Sequence, residues 1–253
     1  MFVNVENVSK SYNKDGGLFI KSKIKVLSDI SLQIKKGECL GLIGESGSGK
    51  STLSKIILGL EKPGRGRVMF EGEPFSRWIK KNKGKMSVVF QDYTSSVNPQ
   101  YTTRSIIAEP LIALGDNKNL DERIAELLSR VGLPHTMIHK YPHELSGGQL
   151  QRVCIARAIA TKPKFIVLDE AISSLDVSSQ AEILQLLRDI KDDMNMTYLF
   201  ITHDLQVVAN ICDRILFLYQ GEIVEELESS NLLLAKNDYA KRLLNSVMLF
   251  NVP

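Results

Sequence analysis

One run of nine residues limits the fold more than any other stretch: Gly44-Glu45-Ser46-Gly47-Ser48-Gly49-Lys50-Ser51-Thr52. It fits the phosphate-loop pattern G-x-x-x-x-G-K-[ST], in which glycines let backbone N–H groups close on phosphate oxygens while the lysine reaches the outer phosphates. Ser51 is then the expected magnesium ligand. The flanks supply the context that the pattern needs. Residues 39–43 read as a short buried strand, and residues 51–60 as a helix whose N-terminus faces the anion. An ordinary glycine-rich turn accounts for neither flank, so a nucleotide-binding α/β domain is expected.

The 253 residues carry a net charge of +3, too mild to argue for nucleic acid or an anionic membrane surface as a partner. Cys39, Cys154 and Cys212 lie far apart without C-x-x-C spacing, so neither a disulfide framework nor a zinc ribbon is expected, and a reducing cytoplasm is the simplest setting. The N-terminus has an early acid, Glu6, and no long apolar core, so it does not read as a signal peptide. No window approaches the roughly 18 or more apolar residues of a spanning helix, which leaves only a peripheral role at any membrane.

In chain order, Phe2, Val3, Val5 and Val8 suggest an opening strand that ends in an aromatic at Tyr12. Residues 13–25 read as a polar loop turning at Gly16-Gly17, and a second strand is expected at 30–34. Past the first helix, Pro63-Gly64-Arg65-Gly66 breaks the chain before a hairpin arm at 67–73. A strand at 86–90 ends in the polar pair Gln91-Asp92, at the position where doubly wound sheets place ligand contacts. Residues 96–145 show helical periods without buried β runs and read as a helical insert. Ser146-Gly147-Gly148 then opens a helix and forms a second candidate anion site, although a capping turn alone explains the same residues. Phe165-Ile166-Val167-Leu168 is an apolar strand ending in Asp169-Glu170, and a strand after a phosphate loop is expected to supply the carboxylate that organises magnesium. A later strand at 198–201 ends at Thr202-His203-Asp204. A lone histidine is more often structural, but one at a strand end beside a nucleotide site gains weight.

Five elements now stand in one order: Gly44 to Thr52, Gln91, Leu145-Ser146-Gly147-Gly148-Gln149, residues 165–170, and His203. Together they resemble the ATP-binding cassette family across essentially the whole chain, as its Walker A loop, Q-loop, signature motif, Walker B strand with glutamate, and switch histidine. The resemblance implies an α/β P-loop NTPase cassette with a RecA-like parallel core sheet, an antiparallel β subdomain and an inserted helical subdomain. Its expected division is a nucleotide-binding core with β subdomain at 1–95 and 146–230, a helical insert at 96–145 and a tail at 231–253. A generic phosphate-loop kinase would lack Leu-Ser-Gly-Gly-Gln.

Within that family, Phe90-Gln91-Asp92, Ser95-Ser96-Val97-Asn98-Pro99 and Tyr141-Pro142-His143-Glu144 resemble the peptide and nickel importer branch. Leu150-Gln151-Arg152-Val153-Cys154, Asp169-Glu170-Ala171 and the early Gly17-Leu18-Phe19 are most similar to its second ATPase subunit of the nickel type. Departures are Ala171-Ile172 in place of Pro-Thr, Tyr93 in place of proline, and Asn237-Asp238-Tyr239-Ala240, which only loosely resembles His-Pro-Tyr-Thr. The cysteine-rich extension of some peptide transporters is missing, so no iron–sulfur site is expected.

The resemblance implies that two cassettes close head to tail, so ATP cradled by one chain is covered by Ser146, Gly147, Gly148 and Gln149 of the other. Tyr12 is expected to stack on adenine, and Gly44, Glu45, Ser46, Gly47, Ser48, Gly49, Lys50, Ser51 and Thr52 to surround the phosphates. Ser51, Gln91 and Asp169 are the expected Mg²⁺ ligands. Glu170 is expected to polarise the attacking water, Gln91 to sense the γ-phosphate, His203 to contact it, and Asp176 to communicate between sites, with catalysis mostly by positioning and electrostatics. The implied partners are a second, related ATPase chain, two membrane permease subunits contacted through residues 91–109, and an extracytoplasmic binding protein, with this chain at the cytoplasmic face.

The function expected is ATP-driven import of nickel or a related metal, free or as a chelate, with peptide import as the alternative. A soluble cassette acting in DNA repair or translation typically carries a coiled-coil insert or two cassettes, and this chain shows neither. His135, His139 and His143 have the spacing of ligands on one helix face, but Pro134 and Pro142 bracket the run, so no metal site is expected there.

Overall fold

The computed structural model describes residues 1–16, 20–173 and 175–248. Gly17, Leu18 and Phe19, Ser174, and the tail beyond residue 248 lie outside the described residues. In chain order the elements begin with β1 (Val3–Gly16), β2 (Ile20–Ile34), β3 (Cys39–Ile43), α1 (Lys50–Ile57), β4 (Arg65–Phe70), β5 (Glu73–Pro74) and α2 (Phe75–Lys81). Next come β6 (Met86–Val89), α3 (Thr103–Ala113), α4 (Leu120–Arg130), α5 (Gly147–Ile159), β7 (Phe165–Asp169) and α6 (Val177–Met194). The chain continues with β8 (Thr197–Thr202), α7 (Leu205–Ile211), β9 (Arg214–Tyr219), β10 (Glu222–Glu228) and α8 (Asp238–Met248). Two compact units result, one from residues 1–81 with 199–253 and one from residues 82–198.

The first unit contains an antiparallel sheet in the order β2-β1-β4-β5 and the strand neighbours β10-β9-β3-β8. β3 runs parallel to β9, with Leu40 opposite Arg214 and Ile43 opposite Phe217. All five residues of β3 are buried, as a strand covered on both faces requires. Residues 13–16 and 20–25 are not the expected polar loop: β1 and β2 pair far beyond the expected strand ends, with Tyr12 opposite Ile24 and Asn13 opposite Lys23, while Gly17 of the expected turn lies outside the described residues. β2 is an edge strand, where lysines such as Lys23 and Lys25 are tolerated and discourage further pairing. The hairpin arm is present, β4 pairing with β5. α2 was not anticipated; it brings the chain's one tryptophan, Trp78, onto Phe70 in a stack at 4.8 Å, and its indole N–H donates to Glu71 at 2.7 Å.

In the second unit β6 and β7 run parallel, in a register that sets Val89 opposite Leu168. Residues 96–145 hold α3 and α4 with no strand among the described residues. His135–His139 forms a 3₁₀ turn. With about three residues per turn, positions four apart diverge by roughly 120° around the axis, and an extended Lys140 separates this turn from the next one at Pro142–Glu144. The three histidines therefore do not share a helix face. Their sequence spacing reflects two short turns, and the ring of His143 stacks against Tyr141 at 5.7 Å.

Candidate functional site

The phosphate loop leaves β3 at Ile43 and enters α1 at Lys50. Gly44 has no room for a side chain: a Cβ there would lie 2.3 Å from the carbonyl oxygen of Leu218 and 2.7 Å from Ser48 Oγ. Gly49, the N-cap of α1, has φ +110°, and a Cβ there would meet Leu27 at 2.7 Å. The Leu27 side chain and Val26 carbonyl of β2 at one end, and the Leu218 carbonyl of β9 at the other, together with the positive φ of Gly49, thus dictate glycine at both ends of the loop.

No side chain caps α1 and its first turn has no acid. The first N–H groups of a helix lack intrahelical acceptors, and with the positive helix end they form a ready anion site. Ser48 Oγ is buried without a hydrogen-bond partner among the described residues. Lys50 is 6 % exposed, and its ammonium donates to the carbonyls of Gly44 at 2.7 Å and Glu45 at 2.9 Å. An uncapped helix end, an orphaned hydroxyl and a buried ammonium anchored on its own loop fit a polyphosphate. Ser51 and Thr52 stand in the first turn of α1, while Glu45, Ser46 and Gly47 are exposed.

Tyr12 lies on β1, with Lys10 above its ring at 5.3 Å. Its hydroxyl donates to Glu61 at 2.7 Å. Burial first and the Glu61 contact second push its pKa up, against a smaller opposing effect of Thr52, which places the ring beside the end of the phosphate loop. His203 directly follows β8, the neighbour of β3, and is exposed. Asp204 then caps α7, accepting from Gln206 N at 2.8 Å.

In the second unit the parallel register fixes a pair. Gln91 and Glu170 each stand two residues beyond the matched positions Val89 and Leu168, and Gln91 Nε2 donates to Glu170 Oε2 at 2.8 Å. Asp169 closes β7, and Glu170 adopts the left-handed conformation at φ +48°. For a glutamate that conformation is uncommon and is maintained by its surroundings. The turn after it is well tethered: Ser173 Oγ donates to the Glu170 carbonyl at 3.0 Å, Gln180 Nε2 to that of Ile172 at 3.1 Å, and Gln151 Nε2 to that of Ala171. Ala171 and Ile172, the departures from Pro-Thr, are both buried.

The Gln151 tether to Ala171 was not singled out from the sequence. Gln151 is fully buried on α5, and the signal was one amide on an otherwise apolar helix face. α5 also anchors the loop after Gln91: Arg157 donates to the Ser96 carbonyl at 2.6 Å and to its hydroxyl at 3.1 Å. In that loop Asp92 accepts from the Thr94 hydroxyl and the Ser95 backbone, which lower its pKa to about 2.

At the exposed start of α5, Ser146 Oγ accepts from Gln149 N at 3.2 Å while Gln149 Oε1 accepts from Ser146 N at 2.9 Å. This reciprocal capping box is the plain structural explanation of the motif. It coexists with an open approach, since Gly147 is exposed and a Cβ on Gly148 would have only Ser179 Oγ near it, at 3.9 Å. Asp176 caps α6, accepting from the Ser179 backbone at 3.0 Å and its hydroxyl at 2.7 Å. Hydrogen bonds from the Ser178 hydroxyl and then Ser179 hold its pKa well below the usual carboxylate value.

Residues 27–173 match the family model described as ABC transporter. The chain is 40% identical to the nickel import ATP-binding protein NikE of Brucella suis biovar 1 (strain 1330), over 99% of this chain and 96% of that protein. It is 39% identical to the oligopeptide transport ATP-binding protein AppF of Bacillus subtilis (strain 168), over 97% of this chain and 78% of that one. Among solved structures, a dimeric post-hydrolysis ATP-binding cassette bound to ADP and Pi superposes with a TM-score of 0.77 at 32% identity, covering 90% of this chain and 98% of that one.

Proposed function

The chain belongs to the ABC transporter family, and from that premise we propose that it is the ATP-hydrolysing subunit of an importer for nickel or a related transition metal, free or as a chelate. The observation that carries the hydrolytic part is the Gln91–Glu170 hydrogen bond at the ends of β6 and β7. It keeps a carboxylate oriented in a strained backbone conformation, as a residue that must align a water molecule requires.

Tyr12 is assigned to the adenine ring, and the backbone N–H groups of residues 47–52 with Lys50 to the phosphates. On nucleotide binding, Lys50 exchanges one of its loop carbonyls for a phosphate oxygen. Ser51, Gln91 and Asp169 are the residues that would hold Mg²⁺, which supplies positive charge against the phosphate oxygens. Glu170 orients the attacking water and draws on its proton. His203 donates toward the γ-phosphate, and Gln91 links that chemistry to the loop that Arg157 anchors on α5.

The ATP site is completed by the Ser146–Gln149 turn of a second, related ATPase chain, a reading supported by the exposed start of α5 and by the dimeric relative. Asp176 and its capped turn report between the two sites. Among the described residues no helix is long and apolar enough to cross a membrane. Attachment at the cytoplasmic face is therefore assigned to two permease subunits contacted through residues 91–109, with cargo delivered by an extracytoplasmic binding protein. A net charge of +3 gives no reason to add nucleic acid as a partner. The second reading, peptide import, is favoured by the oligopeptide-transport relative at nearly the same identity.

Cells lacking the chain separate the two cargoes. Accumulation of radiolabelled nickel is expected to fall and to return with the wild-type gene but not with Glu170→Gln. Normal nickel uptake with lost uptake of a labelled oligopeptide would replace the metal reading with the peptide one.

A further inference from the structure

We propose that Tyr239, on the C-terminal helix α8, is a positioning residue for the phosphate-loop lysine. The inference rests on the ATPase reading above. Its geometry centres on the single peptide unit joining Gly44 to Glu45. The carbonyl of that unit accepts the Lys50 ammonium at 2.7 Å, and its N–H donates to Tyr239 Oη at 2.9 Å. Because a peptide unit is planar, fixing the N–H direction fixes the carbonyl direction. The tyrosine hydroxyl therefore sets where the lysine is anchored, although it never touches the lysine.

The surroundings make this a rigid strut. Tyr239 is 3 % exposed and stacks on Tyr219, the last residue of β9, with ring centroids 4.4 Å apart. The preceding residue, Leu218, supplies the carbonyl that crowds Gly44. The start of α8 is fastened as well: Glu225 on β10 accepts the backbone N–H groups of Lys236 at 2.7 Å and Asn237 at 2.9 Å, and Asn237 Oδ1 accepts that of Tyr239 at 2.9 Å. A continuous hydrogen-bonded path thus runs from β10 through the start of α8 to the phosphate loop, with the Tyr219 stack beside it. Burial pushes the Tyr239 phenol up, so the group stays protonated at neutral pH. It can donate its own proton elsewhere while accepting from Glu45.

Tyr239→Phe deletes only the hydroxyl and keeps the stack. Two measurements on the full chain test its role. In nucleotide-free protein, hydrogen exchange of the segment containing the Glu45 amide is expected to speed up, with exchange across β9 unchanged. With Mg-ATP as the probe, affinity is expected to weaken about 2- to 10-fold, the range for one net hydrogen bond. Tyr198→Phe is the matched control: it loses a buried hydroxyl bonded to the Leu187 carbonyl at 3.2 Å, far in sequence from the loop. It is expected to lower Tm while leaving ATP affinity at the wild-type value. Wild-type affinity and exchange in Tyr239→Phe would overturn the inference, as would a loss of affinity accompanied by faster exchange throughout the first unit, which marks a merely structural role. Failure of the wild-type chain to bind Mg-ATP would instead overturn the ATPase reading, and the exchange measurement would still decide whether Tyr239 sets the loop.

Discussion

Gln91 and Glu170 are 79 residues apart in sequence, yet the Gln91 amide donates to the Glu170 carboxylate at 2.8 Å. Their meeting follows from strand register: β6 and β7 are parallel with Val89 opposite Leu168, so equal overhangs of two residues bring both side chains to one edge. A one-residue slip would reverse which face each side chain takes.

Glu170→Gln should preserve Mg-ATP binding and lower turnover by about 10²- to 10⁴-fold, the usual contribution of a positioned general base. Gln91→Ala, which keeps the carboxylate but removes both the donor that orients it and one of the assigned Mg²⁺ ligands, should cost less, on the order of 10-fold. Phosphate release from the reconstituted transporter measures both, and near-wild-type turnover of Glu170→Gln would remove that residue from catalysis.

Gln151→Met keeps the side-chain length while leaving the Ala171 carbonyl without its amide donor. A lost bond to a buried acceptor costs about 1–2 kcal/mol, partly offset here because Gln151 Oε1 itself has no partner among the described residues. A lower urea midpoint and slower hydrolysis are expected together. Reduced stability with unchanged hydrolysis would show that the turn beyond Glu170 does not depend on this tether.

Gly148→Ala separates folding from assembly. The new methyl would have only Ser179 Oγ near it, at 3.9 Å, and alanine is the better helix residue by about 0.5–1 kcal/mol. The variant chain is expected to be at least as stable as wild type and to lose ATP-dependent pairing with a second cassette. Size-exclusion chromatography with ATP in the Glu170→Gln background reads this directly, and an undiminished dimer peak would count against the composite site.

Acid titration offers a fourth check. The Thr94 hydroxyl and Ser95 backbone bond the charged form of Asp92, lowering its pKa from 3.8 to about 2. A depressed folded-state value means that its stabilising contribution is complete above about pH 4 and disappears as pH falls toward 2. Asp92→Asn should therefore show a shallower loss of local protection in residues 91–97 over that window, followed by hydrogen exchange. Parallel curves for the two proteins would refute the assignment.

The motifs were legible because their chemistry is local: glycines where the backbone is crowded or left-handed, a serine that caps a helix, an acid at a strand end. The long β1–β2 pairing was not legible, because lysines on an edge strand give the same composition as a polar loop. α2 escaped because seven residues are too few for a clear helical period, and its aromatic packing against Phe70 is a tertiary effect. Gln151 and Tyr239 escaped for a third reason. Each bonds a backbone atom outside its own helix, Tyr239 an amide 194 positions distant, and a backbone acceptor or donor leaves no residue signature.

The reciprocal Ser146–Gln149 box bears on biogenesis. A helix start that relied on a partner's nucleotide would leave raw N–H groups exposed on every newly made chain, a liability until the second ATPase arrived. Here the lone chain satisfies the Ser146 and Gln149 N–H groups by itself, and in the proposed composite site ATP would meet that same, already formed turn. If the proposed composite site forms, each subunit can fold before its partner is present, and completing the site is a matter of pairing rather than of folding.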